Sequence, residues 1–179
     1  TTISAVTGVP IDSAMISDVP GHTWGMVTAM AQAGIRYLST APNYIDRIGD
    51  TLVQWENRPF WWLSPSGTER VLVWIPKLGY ALSHAIRTLT PRFVDDYVAE
   101  LDRRDYPYEI ACLRWSGHGD NAVPDPTICD FVRQWNAEHV WPRFVIASTS
   151  TAFHALEERH GAQLPEVRDV DGLRRQGEH

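Results

Sequence analysis

The sequence predicts an α/β fold with a mostly parallel sheet and covering helices. Short β-forming apolar runs alternate with stretches of helical spacing, in the order β-α-β, hairpin, α, β-α-β-α-(β). Alternation of this kind implies crossover connections between parallel strands. The chain has 179 residues, 44% of them hydrophobic, enough for one domain with a sizeable core. No internal repeat or low-complexity segment interrupts the pattern.

The elements follow in order. Thr1 to Ser13 is small, polar and punctuated by Pro and Gly, and reads as a lead-in. Ala14–Ser17 is a short buried strand. Thr23 to Ala33 has helical spacing at Trp24, Val27, Met30 and Ala31, and Gly34 stops it. Ile35–Ser39 is a second strand, rich in β-formers. Thr40 to Asn57, with Pro42, Asn43 and Gly49, is a long connection of the kind that is often functional. Pro59–Leu63 and Glu69–Ile75 flank a Ser-Pro-Ser-Gly-Thr loop and form a hairpin. Leu78 to Leu89 has room for a short helix. Thr90-Pro91 opens a helix to about Arg104, with Phe93, Tyr97, Val98 and Leu101 on one face. Tyr108 to Trp115 reads as a strand and Ser116 to Asp125 as a Gly-, Asp- and Pro-rich loop. Pro126 to Glu138 is a helix burying Ile128, Phe131, Val132 and Trp135. Arg143–Ala147 is a strand and Ser150 to Arg159 a helix ended by Gly161. Val167 begins a last strand.

Composition narrows the function. A net charge of −6 with no Lys/Arg cluster argues against nucleic-acid binding. No stretch is long and apolar enough to span a membrane. Eight Trp residues hint mildly at carbohydrate, since flat rings stack on sugars, although cores use them too. Cys112 and Cys129 form neither a disulfide framework nor a zinc site, and buried free thiols are the default. The chain has no signal peptide at Thr1 and no initiator Met, so its compartment stays open.

Two loops carry chemistry. Ala14–Ser17 runs into Asp18-Val19-Pro20-Gly21-His22-Thr23-Trp24, which puts a carboxylate on a strand-to-helix turn. Ligands of α/β proteins collect at the carboxyl ends of strands. Asp18 is therefore either a turn cap or a catalytic carboxylate or metal ligand. The second loop, after Trp115, carries Asp120. In a parallel sheet both loops open on the same face.

The Asp18–Thr23 run fits the D-x-x-G-H-[ST] signature of glycoside hydrolase family 38, the class II α-mannosidases, and resembles it in spacing through Met30–Ile35. Gly117-His118-Gly119-Asp120 with Pro126-Thr127 resembles that family's G-x-G-D…P-T loop. Ser148-Thr149-Ser150 with Phe153 resembles the segment before its next helix. The resemblance runs from about Ala14 to Val167. Ser17–Gly25 looks closer to a bacterial branch of the superfamily than to its well-studied mannosidases. It implies that 14–170 is part of a catalytic domain built as a seven-stranded (β/α) barrel, with 1–13 a lead-in and 171–179 a polar tail. The remainder of a longer chain is expected, and this stretch alone is expected to be inert.

The same resemblance implies that Asp18 is both nucleophile and zinc ligand in a retaining hydrolysis of α-linked glycosides. A retaining glycosidase needs a second carboxyl about 5–5.5 Å away to protonate the leaving oxygen. Asp120 is the candidate, although Asn121 follows it where some members carry a second acid. His22 either anchors the loop by hydrogen bonds or meets ligand or metal. His118 and Asp120 form an H-x-D pair, but the family's metal-binding H-x-D lies upstream of the first motif, so that role is not transferred. Zn²⁺ is thus implied with Asp18 as its one recognisable ligand here. Trp24, Trp61, Trp62 and Tyr80 either line a sugar groove or pack in the core and hairpin. Arg114 either pairs with Asp18 or Asp120 or makes a surface ion pair. The rival readings are a non-catalytic carbohydrate-binding or scaffolding remnant of this fold, and last a polysaccharide deacetylase-like metal hydrolase, for which no H-x-x-x-H pair is present.

Overall fold

The computed structural model describes residues 2–19, 21–42 and 51–168. Pro20, Asn43 and Gly49 of the expected loops, and the tail 171–179, lie outside the described residues.

A short exposed helix α1 (Thr2–Thr7) occupies the expected lead-in. The first crossover then follows as strand β1 (Ser13–Val19), helix α2 (Met26–Gln32) and strand β2 (Tyr37–Pro42). α2 begins later than the spacing suggests, because Thr23 and Trp24 make the entering turn: their carbonyls accept from Met26 and Val27 N–H. Gly34, at φ +81°, ends the helix. Its N–H reaches Ala31 O and that of Ile35 reaches Met30 O, so two of the last carbonyls are satisfied in a Schellman pattern.

After the short helix α3 (Thr51–Trp55) comes the hairpin of β3 (Phe60–Leu63) and β4 (Arg70–Trp74). The Glu69 carboxylate ties the loop by accepting from the Ser64, Ser66 and Thr68 hydroxyls. Two 3-10 turns, Lys77–Gly79 and Leu82–His84, stand where one short helix was expected. Three longer helices follow: α4 (Pro91–Arg103), α5 (Thr127–Glu138) and α6 (Thr149–His160). Thr90 and Ser148 cap α4 and α6, their side-chain oxygens accepting from Phe93 and Thr151 N–H. Val94 joins Tyr97 as a buried residue of α4, while Phe93, Val98 and Leu101 are half-buried. In α5 only Trp135 is fully buried. Strand β5 (Glu166–Val167) closes the series.

The strands form a five-stranded sheet in the order β1-β2-β4-β3-β5. β1–β2, β2–β4 and β3–β5 are parallel, and β3–β4 is antiparallel. Five strands pair among the described residues, and the seven-stranded barrel is an expectation beyond them.

Both faces of the sheet are covered, and strand alternation sorts the side chains between them. Phe60, Trp62, Val71 and Val73 pack with Val27 and Met30 of α2. Trp61, Leu63, Leu72, Trp74 and Tyr37 pack on the other side with Phe153 of α6.

Two expected strands do not form ladders among the described residues. Tyr108–Trp115 and Arg143–Ala147 run without assigned secondary structure. Their polar groups find other partners. The Arg114 carbonyl accepts from Leu82 N–H, and the Ile110 carbonyl accepts from the Tyr106 hydroxyl. The Asn136 carboxamide takes both the N–H and the carbonyl of Phe144. Side chains and turns thus substitute for the neighbouring strand that β propensity presupposes.

Candidate active site

Asp18 stands at the carboxyl end of β1. The β1–β2 register passes from Ser17↔Ala41 to Val19↔Pro42, so Asp18 is the extra residue of a bulge. Its φ is +62°, a left-handed conformation that Asp tolerates better than most residues. Bulges re-aim side chains and recur beside active sites. The Tyr80 hydroxyl, from the turn after β4, donates to Asp18 Oδ1 at 2.5 Å.

A cavity of about 390 Å³ opens beside it. One wall is the inner row of the sheet, where Met15, Ser39 and Trp74 lie in register across β1, β2 and β4. Further lining comes from the irregular segment at 112–116, from Ala147 and Ser148, and from Thr149, Ala152, Phe153 and Leu156 of α6. Asp120 borders the same space, as do Tyr80 and Arg114. The two loop carboxylates therefore border one cavity, although the segment before Asp120 is not a strand of the sheet.

The Asp120 loop is held from behind. The Asp125 carboxylate accepts from Trp115 Nε1 at 3.0 Å and from the Thr127 N–H and hydroxyl at 3.0 and 2.6 Å. Thr127 foremost, then Trp115, hold its pKa below the ordinary carboxylate value. His118 Nε2 lies 3.3 Å from Asp125 Oδ2, and its Nδ1 lies 3.2 Å from Ser83 O. His118 is thus tied to Asp125, and the H-x-D spacing to Asp120 does not reflect a shared site.

The remaining candidates separate. His22 hydrogen-bonds Thr40 Oγ1 through Nε2 at 2.7 Å and lies 6.3 Å from the Trp62 ring. Burial lowers its pKa. This is the anchoring arrangement. Trp24 donates to the Leu63 carbonyl at 2.7 Å and packs against the core. Trp61 and Trp62 are core residues, each only 3% exposed. They sit mid-strand in β3, between β4 and β5, and none of Trp24, Trp61 or Trp62 borders the cavity. Arg114 donates to Ser17 Oγ at 3.3 Å and also to Ser39 Oγ. Burial pulls its pKa down to about 10.

Ser17, Ser39, Trp74 and His84 border the cavity without having been singled out from the sequence. Strand alternation was the available signal for the first three. His84 comes from the turn beside Tyr80, its ring 6.0 Å from the tyrosine ring. Cys112 is half-buried and its thiol is pushed up to about 11 by burial, whereas Cys129 is exposed, contrary to the buried default.

Among the described residues no group of three or more His, Cys, Asp or Glu side chains converges to hold a metal ion. The residues at hand do not by themselves fit zinc.

The family model for the glycosyl hydrolases family 38 N-terminal domain matches residues 3–170. This chain belongs to that family. A solved structure similar to the family 38 domain is an alpha-mannosidase from Enterococcus faecalis V583. It aligns with a TM-score of 0.62 at 13% identity, over 92% of this chain and 18% of that one. The likeness shows the shared fold. The family 38 domain here thus spans less than a fifth of that protein's length. No curated protein matches the sequence.

Proposed function

We propose that this domain carries catalytic residues of a glycoside hydrolase acting on α-linked sugars, with retention of configuration. The observation that carries the reading is that Asp18 and Asp120, from separate loops, border one cavity. Asp18 attacks the anomeric carbon while Asp120 gives a proton to the departing glycosidic oxygen. The C–O bond to the leaving group breaks as the Asp18 ester forms. Asp120, now ionised, takes a proton from water, and the resulting hydroxide displaces Asp18 from the sugar. The Tyr80 hydroxyl stabilises the ionised form of Asp18 before attack and after release. Trp74, mostly buried in the sheet, borders the cavity. A zinc ion at this site would take Asp18 as one ligand and need others from outside the described residues, so no step is assigned to it.

The test is hydrolysis of an aryl α-mannoside by the full-length protein carrying this domain, supplemented with zinc. Asp18→Asn lowers kcat by about a thousandfold or more, as expected for loss of a covalent nucleophile. An activated fluoroglycoside leaves a glycosyl adduct on the peptide containing Asp18. Hydrolysis that survives Asp18→Asn, or an adduct elsewhere, would sink the assignment. Retained sugar binding without hydrolysis in the unmutated protein would favour a carbohydrate-binding role.

A further inference from the structure

We infer that the cavity beside Asp18 binds a glycoside bearing an anionic group, a carboxylate or a phosphate, through Arg114. This rests on the reading of the cavity as a sugar site and adds the substrate class. Arg114 reaches the inner row of the sheet. Its two terminal nitrogens donate to Ser17 Oγ and Ser39 Oγ, and the guanidinium carbon lies 5.9 Å from the Trp74 ring centroid. A guanidinium has five N–H donors in a fixed fork. Two serine hydroxyls fix its position but do not neutralise it.

No carboxylate among the described residues forms an ion pair with Arg114, although Asp18 and Asp120 border the same cavity. Other arginines do meet carboxylates, Arg36 with Glu157 at 2.6 Å and Arg104 with Glu56 at 2.7 Å. The two serines take one N–H from each terminal nitrogen, and the remaining N–H groups of Arg114 have no partner among the described residues. A partly desolvated cation keeps a strong unmet demand for an anion. The free part of the fork matches the paired oxygens of a carboxylate or phosphate.

The experiment is calorimetric titration of the full-length protein with D-mannose, D-mannuronate and D-mannose 6-phosphate. At least one acidic sugar is expected to bind about tenfold more tightly than D-mannose, the worth of a charge-assisted contact. The better acid identifies carboxylate or phosphate as the recognised group. Arg114→Met brings the acidic and neutral sugars to equal affinity. Arg114→Lys keeps charge without the fork and leaves a reduced preference, which covers the case in which the Met variant fails to fold. Equal binding of all three sugars by the unmutated protein overturns the inference, as does an acid preference undiminished in either variant. Binding of none overturns it together with the sugar-site reading. An acid preference in a protein that hydrolyses nothing overturns the hydrolase reading alone.

Discussion

His22 sits half-buried between Thr40 and the Trp62 ring, and burial lowers its pKa from the ordinary 6.5. The unfolded chain therefore takes up the proton at a higher pH than the folded one. The stabilisation from keeping this imidazole neutral is complete above about 6.5 and is lost as pH falls through the lower folded value. His22→Gln keeps a polar partner for Thr40 but cannot titrate. Thermal melts at pH 7 and pH 5 should show a larger loss of Tm in the unmutated protein than in His22→Gln; equal losses would refute the argument. Anchoring was one of two readings open from the sequence, because a loop beside a candidate nucleophile needs support and histidine can also ligate. The hydrogen bond to Thr40 is of the anchoring kind. The tryptophans were harder. Four adjacent β-forming aromatics and aliphatics, Phe60 to Leu63, give no sign of which face meets a cavity, and the structure buries all four.

The bulge that ends β1 is an element-scale device. It interrupts the ladder between Ser17 and Val19 and places a non-glycine residue at positive φ. Alanine lacks the short polar side chain that eases this conformation for Asp, whereas glycine adopts it freely. Asp18→Gly should therefore be more stable than Asp18→Ala by about 1 kcal/mol, read from urea midpoints at constant m. Equal midpoints would mean that the conformation relaxes when the carboxylate is removed. Asp18→Asn tolerates the conformation better than alanine and keeps the size of the side chain, which makes it the suitable variant for activity. A carboxylate at the end of a short strand was legible from residues 14–18, but the bulge was not, since it depends on the register against β2. The capped helices were legible for local reasons: Thr90-Pro91 and Ser148 carry their start signals in sequence. The 108–115 and 143–147 segments misled because β propensity reports the side chains and not whether a neighbouring strand is there to pair.

At the scale of the molecule, the sheet is assembled from segments far apart in the sequence. β3 pairs with β5 through Trp61↔Glu166 and Trp62↔Val167. Trp61 Nε1 donates to the Gly161 carbonyl at 2.8 Å. Arg36 and the Tyr37 hydroxyl both bind Glu157, and His154 Nε2 reaches Asp12 Oδ2 at 2.7 Å. The alternation of elements made a parallel sheet legible, but these long-range ties depend on packing that no local pattern encodes. They also set the order of assembly. During synthesis, β1 to β4 leave the ribosome well before their last partners, and loops on the order of a hundred residues must close before α6 and β5 can dock. Until then the face bearing Tyr37, Trp61 and Leu72 is bare, a large apolar surface next to an unpaired strand edge. A chain stopped before Thr149 should accordingly bind a hydrophobic dye and sediment as aggregates when the chain through Arg168 does not. A soluble, dye-silent truncation would show that the late segments are dispensable. The last described segment, Thr149 to Arg168, thus acts as a clasp on a sheet that is vulnerable until it emerges.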